Sequence, residues 1–246
     1  MMEAAVTNRR WHIAVLIPAC NEENLLPRCL DSVKSACSFV SDSASVDVVL
    51  AVDQSTDLTR EIGEQILSAN GNNHGVVIAA EAGVVGRTRA VAAQAALARY
   101  RGPLDRCWLA NTDADSHVPV TWLRDQLDLA RRGAQAIAGT IDVDDFTEHA
   151  SFVEERFRRS YHIFADGTHP HVHGANLGVR ADMYVEAGGW GNIPTAEDHD
   201  LWNRLGKLGA RRVSVNHIRV ITSGRRVGRA PQGFAGALAA HNLAFT

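Results

Sequence analysis

Two aspartates, Asp113 and Asp115, stand two residues apart directly after a short apolar run at 107–110. At this spacing on a turn, both carboxylates can point to the same side. Hard cations such as Mg²⁺ and Mn²⁺ take carboxylate oxygens together with the oxygens of a phosphorylated ligand. The tripeptide alone is common in turns, so its position at the end of a predicted strand is what indicates a Mn²⁺ or Mg²⁺ site.

Acidic residues also follow three other predicted strands. Glu22 comes after the apolar run 13–17, Asp53 after 47–52, and Glu81 after 76–80. A single carboxylate in such a place is an ordinary cap of the following helix. Because the carboxyl ends of parallel strands meet at one edge of a sheet, the four loops together favour a polar ligand site at that edge.

The elements that must position these loops alternate regularly from residue 13 to 141. Short, continuously apolar runs are typical of strands buried on both faces, and the segments between them carry apolar residues at helical spacing. The alternation predicts an α/β fold with a mostly parallel, Rossmann-like sheet flanked by helices. The less regular remainder predicts helices at 146–164, 181–187 and 197–208, a strand at 213–222, and loops at 167–178 and 223–236.

Composition bounds the class of protein. The chain has 246 residues, 46% of them hydrophobic, and a net charge of −3, which lacks the basic footprint of a nucleic-acid binder. Its four cysteines have no CxxC spacing, which favours free thiols in a reducing compartment. The sequence has neither a signal-peptide pattern nor a run of about 18 apolar residues. We therefore expect a cytoplasmic protein with no transmembrane segment, and contact with the inner membrane face stays open.

Two common nucleotide-binding motifs are absent. The first strand leads into Pro18-Ala-Cys-Asn-Glu22 rather than the GxGxxG of dinucleotide-binding folds. No GxxxxGK[ST] sequence marks a P-loop. A nucleotidyltransferase of related fold is an alternative, but it would need a GxGxR loop after the first strand. A non-catalytic module that binds a nucleotide sugar is the second alternative.

Six segments, in this order, resemble the family 2 type of GT-A glycosyltransferases over about residues 12–225. They are Ile17-Pro18-Ala-Cys-Asn21-Glu22, Val52-Asp53-Gln-Ser-Thr-Asp57-Leu-Thr59, Gly86-Arg-Thr-Arg89-Ala, Asp113-Ala-Asp115, Gly174-Ala-Asn176-Leu-Gly-Val-Arg180 with Gly188-Gly189-Trp190, and Glu197-Asp198-His-Asp200-Leu201. Val91 departs from the family pattern, where asparagine is usual. The QxxRW motif and membrane helices of polymerising members are absent, which favours transfer of a single sugar.

The resemblance implies a role for each matched position. It implies that Asp198 is the general base of an inverting transfer, with Glu197 as the second choice, and that Asp115 and Asp113 hold the cation. It implies donor-nucleotide contacts from Pro18, Asn21, Glu22, Asp53, Arg89 and Asp113. It implies acceptor or sugar contacts from Gly174, Asn176 and Trp190.

For several residues the sequence leaves two possible roles open. His217, on the strand after 197–208, is either a further metal ligand or an ordinary histidine. His171 and His173 either line the acceptor pocket or are structural. The basic loop with Arg225, Arg226 and Arg229 either closes over a diphosphate or is simply solvated.

The expected organisation is a single domain. Residues 12–116 would bind the donor, a UDP-, GDP- or dTDP-linked sugar, and residues 117–246 would bind an unidentified hydroxyl acceptor.

Overall fold

The computed structural model describes residues 10–68, 75–228 and 233–243. Arg229 lies outside the described residues. The strands are β1 (Trp11–Ala19), β2 (Ala44–Asp53), β3 (Gly75–Ala80), β4 (Cys107–Asn111), β5 (Ala136–Val143), β6 (Leu177–Arg180) and β7 (Arg212–Thr222). The helices are α1 (Leu26–Val40), α2 (Thr59–Ser68), α3 (Val85–Arg99), α4 (Trp122–Arg131), α5 (Val153–Ser160), α6 (Ala181–Glu186), α7 (Glu197–Lys207) and α8 (Phe234–Ala240).

The strands in the described residues form one seven-stranded sheet, in the order β3-β2-β1-β4-β6-β5-β7. β1 pairs in parallel with both β2 and β4, and β2 pairs in parallel with β3. β6 runs antiparallel to its neighbours β4 and β5, while β5 and β7 are parallel. The predicted α/β fold with a mostly parallel sheet is confirmed, and the loops after β1, β2 and β4 meet at one edge.

The central strand β1 shows why the apolar runs are continuous. Ile13, Val15 and Ile17 pack into one core, with α1 and α4, whereas Ala14 and Leu16 pack into a second core, with α3 and α7. All five side chains are fully buried. A strand covered on both faces has no solvent-facing positions, so it shows no alternation with polar residues.

Two predicted elements need correction. The loop predicted at 167–178 overlaps β6, whose Gly178 packs so closely on Trp108 and Gln126 that any larger residue would collide with them. A short strand containing glycine gives little apolar signal. The helix predicted at 146–164 is only Val153–Ser160.

A third, smaller core lies where α5 meets the C-terminal helix α8. It contains Val143, Val153, Phe157 and Leu238, with Phe234 packed against it. The Arg156 side chain donates to the carbonyl oxygens of His241 and Leu243, at 2.9 and 2.7 Å, which fixes α8 to α5. Among the described residues, no helix is both long enough and apolar enough to cross a membrane.

Candidate active site

A cavity of about 430 Å³ opens at the edge where β1, β2 and β4 end. Residues from both halves of the chain line it. Those selected from the sequence that do so are Pro18, Glu22, Asp53, Arg89, Asp113, Asp115, His173, Gly174, Glu197, Asp198 and Arg225, whereas His171 does not. The described lining has six carboxylates and two guanidinium groups. This excess of negative charge favours a bound cation.

The loops after β1 and β2 are tied together by hydrogen bonds. The Asn21 Oδ1 accepts from the backbone N–H of Thr56 at 2.8 Å, and the N–H of Glu22 donates to the Thr59 hydroxyl at 2.7 Å. Asn21 has a positive φ of 53°, a conformation that asparagine tolerates better than most residues. Asn21 does not line the cavity. Its amide holds in place the loop that presents Glu22.

Asp53 fixes the start of α3 at the cavity wall. Its carboxylate accepts from the backbone N–H groups of Ala82 and Gly83, at 2.8 and 3.0 Å, and from the Thr88 hydroxyl at 2.9 Å. Gly83 has φ +72°, which favours glycine. A nucleotide bound here would meet a carboxylate that the turn already holds in one orientation.

Arg89 is a buried cation at the base of the site, with 2% of its surface exposed. Its Nη2 contacts Asp113 Oδ1 at 2.5 Å, and its Nε lies 3.5 Å from Glu197 Oε1. The guanidinium also lies over the Trp190 ring, 5.4 Å from the centroid. Burial disfavours the charged form, but Asp113 and Glu197 raise the pKa of Arg89 above its ordinary value. Arg89 therefore joins the Asp113 loop to the start of α7.

Arg225 bridges two acids on the other side of the Asp113-Ala-Asp115 loop. Its Nη1 donates to both Glu22 carboxylate oxygens, at 2.8 and 3.0 Å, and its Nη2 lies 2.7 Å from Asp115 Oδ2. The Glu22 and Asp115 side chains are only 5% and 12% exposed. Burial raises the pKa of Asp115, and Arg225 opposes that shift.

The oxygen ligands present fit a hard cation only in part. Asp113 and Asp115 supply carboxylate oxygens, and Mg²⁺ or Mn²⁺ commonly completes its coordination with substrate phosphates and water. Within the described residues, no group of three His, Cys, Asp or Glu side chains is arranged to hold a metal. His217 is exposed on β7 and does not line the cavity. The structure therefore does not bring His217 together with the aspartates.

The two acids that open α7 face different surroundings. Asp198 Oδ2 accepts from the Gly174 backbone N–H at 2.9 Å, and Asp198 Oδ1 accepts from the His199 N–H at 2.7 Å. Glu197 is 7% exposed and lies against Arg89. Burial raises the pKa of Glu197, and Arg89 opposes this shift. Asp198 is half-buried at the cavity, so it is the more accessible of the two to a ligand.

Asn176 and Trp190, which the resemblance assigned to acceptor binding, do not line the cavity. Asn176 is 1% exposed. Its Nδ2 donates to the carbonyl oxygens of Thr140 and Ile218, at 2.8 and 2.9 Å, and its Oδ1 accepts from Trp122 Nε1 at 3.0 Å. The amide therefore ties β5, β7 and α4 together. Trp190 lies beneath Arg89.

Replacing Asn176 by alanine is expected to destabilise the fold by about 2–4 kcal/mol, because three buried partners lose their hydrogen bonds. Urea unfolding measures the change. Asn203→Ala, at an exposed position of α7, is the control and is expected to shift the free energy of unfolding by less than about 0.5 kcal/mol. Equal stability of both variants would contradict the structural role.

Other residues at the cavity have no obvious signal in the sequence. Phe234, Ala235 and Ala237 reach it from α8, and Thr88 reaches it from α3. Arg226, predicted to be part of the lid, does not line the cavity, and its backbone N–H donates to Glu148 at 2.8 Å. The residues of α8 reach the cavity because segments distant in sequence pack together. The spacing of residues along the chain does not reveal such packing.

Comparison with known proteins was made by sequence and by structure. The model of the family described as "Glycosyl transferase family 2" matches residues 14–186, more than half of the chain. No curated protein sequence gave a match.

Solved glycosyltransferases share the fold. S. aureus TarS 1–349 is 17% identical, with a TM-score of 0.60 over 87% of this chain and 60% of that one. The mannosyltransferase PcManGT from Pyrobaculum calidifontis, solved with GDP-Man and Mn²⁺, is 18% identical, with a TM-score of 0.62 over 95% of this chain and 69% of that one. GalNAc-T7, solved with UDP, GalNAc and Mn²⁺, is 17% identical, with a TM-score of 0.63 over 89% of this chain and 45% of that one.

The family match and the fold agree with the ordered segments found in the sequence. Most of those segments also supply residues to one acidic cavity at the expected edge of the sheet. The chain therefore belongs to glycosyl transferase family 2 and has the fold of the solved GT-A glycosyltransferases, although it spans only 60% of the length of TarS 1–349 and 45% of GalNAc-T7.

Proposed function

We propose that this chain transfers one sugar from a nucleotide-diphosphate-sugar donor to a hydroxyl acceptor, with Mn²⁺ or Mg²⁺ as cofactor. The observation that carries the proposal is the acidic cavity, in which the Asp113-Ala-Asp115 loop and Asp198 contribute to one lining. The solved complexes of PcManGT with GDP-Man and Mn²⁺ and of GalNAc-T7 with UDP and Mn²⁺ support it.

The first half of the chain would bind the donor. Glu22 and Asp53 offer carboxylate oxygens to the N–H and hydroxyl donors of a nucleoside, and Pro18 forms part of the same wall. Asp115 and Asp113 would hold the cation. When bound, the cation would neutralise the charge that develops on the departing diphosphate.

The second half would supply the base. Asp198 would accept the proton of the acceptor hydroxyl as its oxygen attacks the anomeric carbon and the bond from that carbon to the diphosphate breaks. One displacement of this kind inverts the anomeric centre. Glu197 is the weaker candidate, because its carboxylate lies against the buried Arg89.

Arg225 would have two positions in the reaction cycle. In the absence of a ligand it neutralises Glu22 and Asp115. With Asp115 holding the cation, the Arg225 guanidinium would be available to the diphosphate, whose oxygens it can contact in bidentate fashion. Arg225 would then close the site over the donor, and Arg226 would lie beside it in the same loop.

A thermal-shift panel tests the proposed function. The protein is heated with UDP, GDP or dTDP, each with Mn²⁺ and with excess EDTA. One nucleotide is expected to raise the Tm clearly, since ligand at a hundredfold excess over its Kd adds about 2.7 kcal/mol of stability. EDTA is expected to remove most of that gain.

Transfer is then assayed with sugars carried on the selected nucleotide. No shift with any nucleotide would contradict the proposal. A shift without transfer or hydrolysis of the sugar nucleotide would favour the non-catalytic module. Release of pyrophosphate from a nucleoside triphosphate and a sugar phosphate would favour a nucleotidyltransferase.

A further inference from the structure

One part of the cavity lining is apolar and uncharged, unlike the acidic part that follows β1, β2 and β4. It combines residues from β5, from the segment before β6 and from α8. In the described residues it consists of Ile141, Val172, His173, Ala175, Phe234, Ala235 and Ala237. Neither lysine nor arginine belongs to this group. Among the described residues of this group, a negatively charged ligand would find no positively charged partner.

His173 and Phe234 are neighbours at the centre of this surface. Their rings lie 6.2 Å apart at 84°, an edge-to-face arrangement. Tyr161 lies parallel to His173, with ring centroids 5.9 Å apart. Phe234 also packs edge-to-face on Phe157, with centroids 5.9 Å apart. These contacts hold the His173 and Phe234 rings in place before any ligand binds.

Hydrogen bonding assigns the proton on His173. The Tyr161 hydroxyl oxygen accepts from the Ile141 backbone N–H at 3.0 Å and lies 3.0 Å from His173 Nε2. Among the described residues, no other acceptor lies within hydrogen-bond distance of that hydroxyl. We therefore assign the hydroxyl's own proton to His173 Nε2, the one acceptor within reach of it among the described residues. The neutral imidazole then carries its proton on Nδ1.

The Nδ1–H group has no hydrogen-bond partner in the described part of the chain, although His173 lines the cavity. Burial, together with the imidazoles of His171, His169 and His199, lowers the pKa of His173 to about 3, so the ring stays neutral. The next residue, Gly174, donates its backbone N–H to Asp198. The His173 Nδ1–H donor and the candidate base Asp198 are thus linked, because Asp198 binds the backbone of Gly174, the residue after His173.

We propose that His173 and Phe234 form the acceptor subsite of this cavity, and that it takes an uncharged ring bearing hydroxyl groups. Phe234 contacts the apolar face of the ring, and His173 Nδ1–H donates to a ring or hydroxyl oxygen. Asp198 then faces the hydroxyl that reacts. This inference rests on the proposed transfer to a hydroxyl acceptor. It adds the chemical class of that acceptor.

The proposed chemical class of the acceptor is tested by saturation-transfer NMR on the full chain without nucleotide. The probes are the p-nitrophenyl glycosides of glucose, galactose, mannose and N-acetylglucosamine, and the 6-phosphate of the glucoside. At least one neutral glycoside is expected to bind. The 6-phosphate is expected to bind at least tenfold more weakly than the glucoside. No binding by any neutral glycoside, or tighter binding by the phosphate, would overturn the proposal.

Two substitutions of His173 separate its nitrogens. The amide nitrogen of asparagine matches the position of Nδ1, whereas that of glutamine matches the position of Nε2. His173→Asn is expected to keep glycoside binding within about threefold, while His173→Gln and Phe234→Ala each weaken it at least tenfold. His171→Phe, which keeps a ring against Tyr161 outside the cavity lining, is the control and is expected to change nothing.

Equal losses in His173→Asn and His173→Gln would overturn the assigned donor, and an unchanged Phe234→Ala would overturn the subsite. The Tm of each variant reports whether it is folded. The nucleotide thermal shift is measured on the same samples and is expected to be retained. Failure of the subsite therefore leaves nucleotide binding intact, whereas failure of the proposed function removes the nucleotide shift from the unsubstituted protein as well.

Discussion

Replacing Asp198 by asparagine is expected to slow sugar transfer about 10²–10⁴-fold, the usual loss when a general base is removed. Asparagine keeps the size of the side chain and one carbonyl oxygen, so the hydrogen bond from the Gly174 N–H is retained. The amide cannot accept the proton of an attacking hydroxyl. Donor binding is expected to be nearly unchanged, because Asp53 and Asp115 lie outside α7 and Asp198 contacts neither of them.

The surroundings of Glu197 and Asp198 at the start of α7 indicate which of the two is the base. Glu197→Gln removes a charge that lies 3.5 Å from the buried Arg89. That variant is therefore expected to be less stable and to disturb Asp113 through Arg89. Asp198→Asn is expected to unfold at nearly the Tm of the unsubstituted protein and to lose only turnover. Single-turnover transfer and nucleotide thermal shifts measure the two properties separately.

Asp42→Asn, at an exposed position after α1, makes the same chemical change outside the cavity and is expected to have full activity. A full rate in Asp198→Asn would reassign the base. Full stability combined with a large loss of rate in Glu197→Gln would transfer the role to Glu197. Loss of nucleotide binding in Asp198→Asn would mean that α7 serves the donor rather than the acceptor.

The donor side of the cavity was predictable from sequence because it depends on local order. Each loop follows an apolar run directly, and parallel strands bring their carboxyl ends to one edge. This reasoning predicts Glu22, Asp53, Asp113 and Asp115 correctly, but not Glu81, which is exposed after β3 and does not line the cavity. Their partners were less accessible to such reasoning: Arg225 reaches Glu22 from 203 positions away along the chain.

The acceptor side depends on irregular geometry. Between β5 and β7 the register shifts, so that Gly139 pairs with Val215 while the next residue, Thr140, pairs with Arg219. His217 lies between these two pairs and is exposed, which the spacing of residues along the strand does not predict. In the same region the hydrogen-bonding groups of Asn176 are already used: its amide nitrogen donates to the Thr140 and Ile218 carbonyl oxygens. A sequence motif gives the residue type but not the direction of its side chain.

Replacing Asp115 by asparagine, or removing the cation with excess EDTA, is expected to slow transfer about 10²–10³-fold, since a metal supplies several kcal/mol of stabilisation to the departing diphosphate. Asp115 is the stronger of the two candidate ligands. Asp113 is already paired with the buried guanidinium of Arg89, whose other carboxylate partner, Glu197, lies farther away at 3.5 Å. Asp115 is paired with Arg225, which lies in a loop and can exchange one anion for another.

This pairing predicts an order of binding. Without a nucleotide, binding of a cation at Asp115 would cost the ion pair with Arg225 and leave the guanidinium paired with Glu22 alone, so binding of the cation alone is expected to be weak. With the diphosphate present, Arg225 gains a new anionic partner, and Mn²⁺ binding is expected to tighten at least tenfold. Electron paramagnetic resonance of free Mn²⁺ measures both affinities. Asp115→Asn is expected to abolish the tightening, whereas Asp31→Asn, exposed on α1, is expected to preserve it.

Full transfer in excess EDTA would contradict the metal requirement. Equal Mn²⁺ affinity with and without the nucleotide would instead mean that Arg225 and the cation do not compete for Asp115.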